Sequence, residues 1–154
     1  MPEPYRVLVV DDSPFMRKVV SDIIESSGDM TVAGTAANGA EALEAVERLR
    51  PDAVAMDVEM PVMTGPQALP ILLGKTDIPV ILLSSTSAES AAATIRALEL
   101  GAFDFVAKPS SGAGTGELDQ LRESLLASLR AAVHSVRARR RSAAGEVPDA
   151  ARPA

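Results

Sequence analysis

The chain has 154 residues, the size of one domain, and a net charge of −6 at pH 7, which argues against a nucleic-acid-binding surface. It has no cysteine, which excludes disulfides, thiolate metal sites and a Cys nucleophile, and its single histidine, His134, all but excludes a Ser-His-Asp triad or a multi-histidine zinc site. No apolar run approaches the roughly 20 residues of a membrane span, and the start Met1-Pro2-Glu3-Pro4 lacks the features of a signal peptide, so a soluble cytoplasmic protein is expected.

Val7 to Val10 is an apolar run that ends in Asp11-Asp12, and it predicts a strand over Arg6 to Val10, buried on both faces of a parallel sheet. Ser13-Pro14 reads as N-cap and first helical residue, because Ser accepts an orphan N–H and Pro has none to lose. Phe15, Val19, Val20, Ile23 and Ile24 then recur at helical spacing until Gly28. Thr31 to Ala36 predicts a second strand and Asn38-Gly39 a turn. Ala40 to Leu49 predicts a helix with Ala42, Leu43, Val46 and Leu49 on one face. Ala53 to Met56 predicts a third strand, leading to Asp57. Gly65 to Gly74 should be helical by topology. Pro70 inside it removes a hydrogen bond and crowds the preceding turn, which predicts a short, kinked or restarted helix. Pro79 to Leu83 is the fourth predicted strand and ends at Ser84-Ser85. Ala88 to Leu100 is an Ala-rich helix closed by Gly101, and Phe103 to Ala107 is a fifth strand ending at Lys108-Pro109.

Ser110 to Gly116 reads as a flexible loop. A last helix runs from Glu117 to about Arg141, with Leu118, Leu121, Leu125, Leu129, Val133 and Val136 as its apolar stripe. Acids open it and Arg137, Arg139, Arg140 and Arg141 close it, which complements the helix dipole. About 25 residues at roughly 1.5 Å each outrun the sheet they cover. Residues 131–141 are therefore expected as an extension of the last helix, read first as a frayed, solvated linker and otherwise as a relay to an output domain or a pairing surface for a second copy, and 142–154 as a disordered linker or tail.

Five strands alternating with five helices imply an α/β doubly wound parallel sheet of flavodoxin-like order 2-1-3-4-5. That order places Asp11, Asp12 and Asp57 side by side at the carboxyl edge, with Ser84 and Lys108 on the same edge. Clustered carboxylates repel one another unless a cation sits among them, and hard oxygen ligands suit Mg²⁺. The set suggests phosphoryl transfer to a carboxylate. Asp57 is the nucleophile, Asp11 and Asp12 hold Mg²⁺, and the backbone carbonyl of Glu59 is a further ligand. Lys108 neutralises phosphoryl oxygens, and the Ser84 hydroxyl engages them once phosphate is present. Each piece alone has an ordinary reading: Asp-Asp as a helix cap, Ser as a turn residue, Lys-Pro as a strand-end turn. It is the combination, in this order, that carries the chemistry.

Val9-Val10-Asp11-Asp12-Ser13, Met56-Asp57-Val58-Glu59-Met60-Pro61 followed by Gly65, Ser84, and Lys108-Pro109 together resemble the receiver domain of two-component response regulators, over about residues 5 to 130. The resemblance implies a CheY-like fold, with a receiver domain over 1–130 and Mg²⁺-dependent phosphorylation of Asp57 by a histidine kinase of the CheA type. It also implies a shift of the face formed by the last two strands and helices, and often a cis bond before the proline matching Pro109. A monomer or weak dimer acting on an effector is expected. Asp12-Ser13-Pro14-Phe15-Met16-Arg17-Lys18, Leu83-Ser84-Ser85-Thr86 and Leu98-Glu99-Leu100-Gly101-Ala102-Phe103-Asp104-Phe105 are more similar still to the N-terminal receiver of the CheB chemotaxis methylesterase family. In that family the phosphorylated receiver relieves inhibition of an esterase domain. The esterase nucleophile motif Gly-x-Ser-x-Gly is not matched: the nearest string, Gly112-Ala113-Gly114-Thr115-Gly116, lacks the serine.

Some positions depart from the family pattern. Thr64 stands where an acid or Asn is usual, and Pro66 and Pro70 put the third helix in doubt. Glu59 adds a negative charge near the metal site and is expected to pair with Lys108 at rest and to slow attack of water on the phosphoryl group. Phe105 takes the place of a switch aromatic that is often Tyr, with a plain core Phe as the other reading. Three other functions share parts of this pattern. A stand-alone CheY-like receiver acting through protein binding is the runner-up. A haloacid-dehalogenase-like phosphatase using Asp11 needs a second Asp where Ser13 stands. A flavodoxin needs a Ser/Thr/Gly-rich first loop, whereas Asp11-Asp12 would repel a phosphate.

Overall fold

The structure, a computed structural model, describes residues 3–85, 87–109 and 115–143. Strands β1 (Tyr5–Val10), β2 (Met30–Ala36), β3 (Ala53–Asp57), β4 (Val80–Ser84) and β5 (Asp104–Ala107) alternate with helices α1 (Pro14–Glu25), α2 (Gly39–Leu49), α3 (Gly65–Lys75), α4 (Ala88–Leu100) and α5 (Thr115–Ala143). The strands form one parallel sheet in the order β2-β1-β3-β4-β5. This is the doubly wound arrangement read from the alternation of apolar runs and helical stripes.

Side-chain alternation along the strands divides the core in two. Leu8, Val10, Val54, Met56, Val80 and Leu82 face α2, α3 and α4, where they meet Ala42, Val46, Leu69 and Leu72. Val7, Val9, Ala53, Ala55, Ile81 and Leu83 face α1 and α5, where they meet Val20, Ile24, Leu121, Leu125 and Leu129. The central strands β3 and β4 are buried along their whole length, which is why they read as unbroken apolar runs.

Ser13 caps α1 as expected, accepting the Met16 N–H. Asn38, expected in a turn, is instead the N-cap of α2, which starts at Gly39, and it accepts the Glu41 N–H. The third helix differs from expectation: α3 is continuous through Pro70. Two features allow this. Thr64 and Gln67 form a reciprocal capping box that secures the first turn. Pro70 lies on the exposed side of the helix, so the carbonyl that its ring deprives of a partner is near water.

Phe15, expected on the core stripe of α1, is 72% exposed, and Met16 packs against the core instead. Leu118 is likewise half-exposed at the start of α5. The last helix is longer than expected: it starts at Thr115 and takes in Ser142 and Ala143. Ala132, Val133 and Val136 are buried, so this part of the expected extension packs on the domain. Arg130 forks onto Asp29 at 2.9 and 3.0 Å, and Tyr5 Oη lies 3.4 Å from His134 Nε2. The rest of the tail, 144–154, and residues 110–114 of the expected loop lie outside the described residues.

Candidate functional site

β1 and β3 are neighbours, so the acids that follow them meet at the carboxyl edge of the sheet, where the strand order reverses. Asp11, Asp57 and Lys108 continue the alternation that faces α1 and α5, and all three side chains are largely buried. Lys108 Nζ is 3.2 Å from Asp11 Oδ2 and 3.2 Å from Asp57 Oδ2. The other Asp11 oxygen accepts the Ser13 N–H at 2.9 Å, and Asp57 Oδ1 accepts the Glu59 N–H at 3.4 Å. Asp12 is exposed at the mouth of an open cleft of about 490 Å³ that Asp57, Glu59, Ser85 and Lys108 also line.

Backbone packing holds Asp57 in place. Gly65 opens α3 so close to β3 that a Cβ there would sit 2.5 Å from the Asp57 carbonyl oxygen. The Gly65 N–H in turn donates to the Val58 carbonyl. Between them, Pro61 to Met63 makes a tight turn with Val62 at a φ of 67° and 83% exposed. The Met63 carbonyl accepts the Gly39 N–H, which ties this loop to the start of α2.

Burial is the largest influence on Asp57 and pushes its carboxyl up from 3.8 to about 6; Lys108 opposes the rise and the Asp11 charge adds to it. For Lys108 burial is again the largest single influence and acts downward, but the attraction of Asp57 and Asp11 outweighs it and the ammonium is held above its usual value. For Lys108 the direction follows from one ammonium facing two buried acids, whereas for Asp57 burial outweighs the attraction of Lys108.

One oxygen from each of Asp11, Asp12 and Asp57 lies within 4.8 Å of the others. Three carboxylates and a single ammonium leave an excess of two negative charges. With an all-oxygen donor set, that excess fits a hard divalent cation.

The expected residues are thus brought together, with corrections of detail. Lys108 pairs with Asp11 and Asp57, not with Glu59. Glu59 lies past the strand end, exposed, and accepts from Ser87 Oγ at 3.4 Å. The Ser84 hydroxyl, 7% exposed, is turned to its own loop, donating to the Ser85 carbonyl at 3.2 Å, while its carbonyl accepts the Lys108 N–H at 2.8 Å. Phe105 is 46% exposed on the edge strand, which rules out a plain core residue. No cis peptide occurs among the described residues, so Lys108–Pro109 is trans, as the small energy gap between X-Pro isomers permits. Arg17 carries no sequence signal that marks it as a site residue. Its guanidinium donates to the Asp11 carbonyl at 2.7 Å, a contact that no spacing rule signals.

Residues 7–116 match the response regulator receiver domain family. The chain belongs to that family. As a receiver domain it is a regulatory module with the CheY-like fold. It is 49% identical over 127 residues to a protein-glutamate methylesterase/protein-glutamine glutaminase of Pyrococcus abyssi, a match covering 82% of this chain and 34% of that protein. The chain therefore spans about a third of the length of such curated relatives. Among solved structures it is similar to the response regulator domain of Thermotoga maritima CheB, with a TM-score of 0.76 and 43% identity over 86% of this chain and 98% of that one. It is also similar to a chain of a CheX–CheY–BeF3–Mg²⁺ complex from Borrelia burgdorferi, at a TM-score of 0.68 and 28% identity, covering 84% of this chain and 89% of that one. The receiver domain is thus of the CheB type. No described helix is long and apolar enough to cross a membrane.

Proposed function

We propose that this receiver takes a phosphoryl group from the phosphohistidine of a CheA-like histidine kinase onto Asp57 and uses it to regulate a chemotaxis-type methylesterase effector in the cytoplasm. The observation that carries the reading is the contact of Asp57 with Lys108 inside a cluster of three acids. An Asp57 oxygen forms the new bond to phosphorus as the P–N bond to the kinase histidine breaks. The imidazole leaves with the electron pair and picks up a proton. Asp11, Asp12, Asp57 and the Glu59 carbonyl would hold Mg²⁺, which supplies charge neutralisation at the transferring oxygens. Lys108 turns from the acid pair to the phosphoryl oxygens as a fixed positive charge. Ser84 and Phe105, at the ends and edge of β4 and β5, are the residues that report the new group to the surrounding face.

The presence of BeF3 and Mg²⁺ in the similar Borrelia complex supports the choice of ligand chemistry. The similarity to methylesterases supports the choice of effector. The test is incubation with a small-molecule phosphodonor, with and without Mg²⁺, followed by intact mass. One hydroxylamine-labile phosphoryl group is expected in the wild type, and none after chelation or in Asp57→Asn. Undiminished labelling of Asp57→Asn would place the nucleophile elsewhere.

A further inference from the structure

The Ser84 hydroxyl is part of a closed ring of hydrogen bonds. Ser84 Oγ donates to the Ser85 carbonyl at 3.2 Å, and the Ser85 N–H donates to Ser90 Oγ at 3.1 Å. The two hydroxyl oxygens are 3.5 Å apart. A hydroxyl has one proton, and that of Ser84 is already used on Ser85, so the proton between the two oxygens is that of Ser90. The N–H and the C=O of residue 85 are each held by one hydroxyl, and the hydroxyls are held by each other. Ser90 is 0% exposed and Ser84 7%, so water is not at hand to replace a lost partner.

Ser90 lies in the first turn of α4, and its N–H donates to the N-cap Ser87 at 3.0 Å. The rest of the buried face of this helix is small or hydroxylated: Thr94, whose hydroxyl donates to the Ser90 carbonyl at 2.8 Å, and Ala97. By contrast α5 buries Leu121, Leu125 and Leu129. The start of α4 is therefore attached to the sheet edge by hydroxyl contacts more than by large apolar side chains.

We infer that Ser90 is a positioning residue: it holds Ser84 in its resting rotamer and carries the movement of Ser84 into the first turn of α4. The inference deepens the proposed function and rests on its reading of Asp57 as phosphoacceptor. When Ser84 turns its hydroxyl to a phosphoryl oxygen, the Ser85 carbonyl loses its donor and the buried Ser90 hydroxyl loses its acceptor. The first turn of α4 must then shift to find new partners. The resting ring and the engaged Ser84 exclude each other, which makes this junction two-state.

A double-mutant cycle tests it, with Mg²⁺ plus beryllium fluoride as the probe and titration calorimetry as the readout. Ser90→Ala opens the ring, so the analogue should bind roughly tenfold tighter than to the wild type. In the Ser84→Ala background, where no hydroxyl needs to move, Ser90→Ala should leave the affinity unchanged. An equal effect of Ser90→Ala in both backgrounds, or none in either, overturns the coupling. Hydrogen exchange without the analogue gives an independent reading: amides at the start of α4 should exchange faster in both Ser84→Ala and Ser90→Ala. Unchanged exchange in both overturns the ring itself. Failure of the wild type to bind the analogue would instead count against the Asp57 reading, and the exchange comparison would still decide the ring.

Discussion

At the scale of single residues, the site is governed by one carboxylate whose burial outweighs the attraction of its lysine partner. Asp57 titrates near 6 in the folded chain against 3.8 without the fold. The folded form therefore binds more protons than the unfolded one between those values. Stability from this group is complete below about 3.8, falls as pH rises through the window, and stays lost above about 6. Asp57→Asn removes the liability. It should stabilise the metal-free protein at pH 7 by on the order of 1–2 kcal/mol, with the difference vanishing below about pH 4 in parallel denaturant titrations. A cation at the site must displace the same proton, so Mg²⁺ affinity should climb with pH up to about 6 and then level off. Calorimetry from pH 5 to 8 checks this, and a flat profile would contradict it. Glu59 offers a separate test: Glu59→Asn should shorten the phosphoryl lifetime, and equal lifetimes would end that role. Asp11, Asp12, Asp57, Ser84 and Lys108 were legible because each ends an apolar run. Their pairing was not, because spacing along the chain says nothing about which acid a lysine reaches.

At the scale of elements, α3 and α5 are where local pattern and tertiary context part company. Pro70 argued for a broken third helix, yet the capping box and the exposed side on which the proline sits keep it whole. Thr64→Ala should cost about 1 kcal/mol, and Pro70→Ala should raise stability by about 1 kcal/mol or more; thermal melts of the two variants read both. A loss of stability on Pro70→Ala would mean that the ring packs in a way its exposure hides. For α5, the apolar stripe marked the buried face well through Val136, but helix length alone suggested that the distal part runs free. The burial of Ala132, Val133 and Val136, next to the clamp of Arg130 on Asp29, shows that the helix packs on the domain as far as Val136. Val133→Ala should cost about 1–2 kcal/mol, as at an ordinary core position, whereas a solvated extension would show no change in melting.

At the scale of the whole molecule, the topology was the most legible feature, because β3 and β4 are buried on both faces and α1, α2 and α5 carry helical stripes. Right-handed crossovers then left few ways to order the sheet, and the observed order brings both acidic strand ends to one crevice. What the pattern did not reveal is the hydroxyl-lined attachment of α4, since Ser90 and Thr94 sit in an Ala-rich stretch with no strong periodicity. The sheet face that carries the acids is packed on large apolar side chains of α5, whereas the start of α4 is held by hydroxyl contacts. Everything depends on Asp57 as the phosphoryl acceptor. The most direct measurement is borohydride trapping after Mg²⁺-dependent phosphorylation, which reduces an acyl phosphate to an alcohol, followed by peptide mass spectrometry. The expected result is homoserine at position 57 alone, absent without Mg²⁺. Conversion at Asp11 or Asp12, or a hydroxylamine-resistant phosphate on a hydroxyl such as Ser84, would contradict the account.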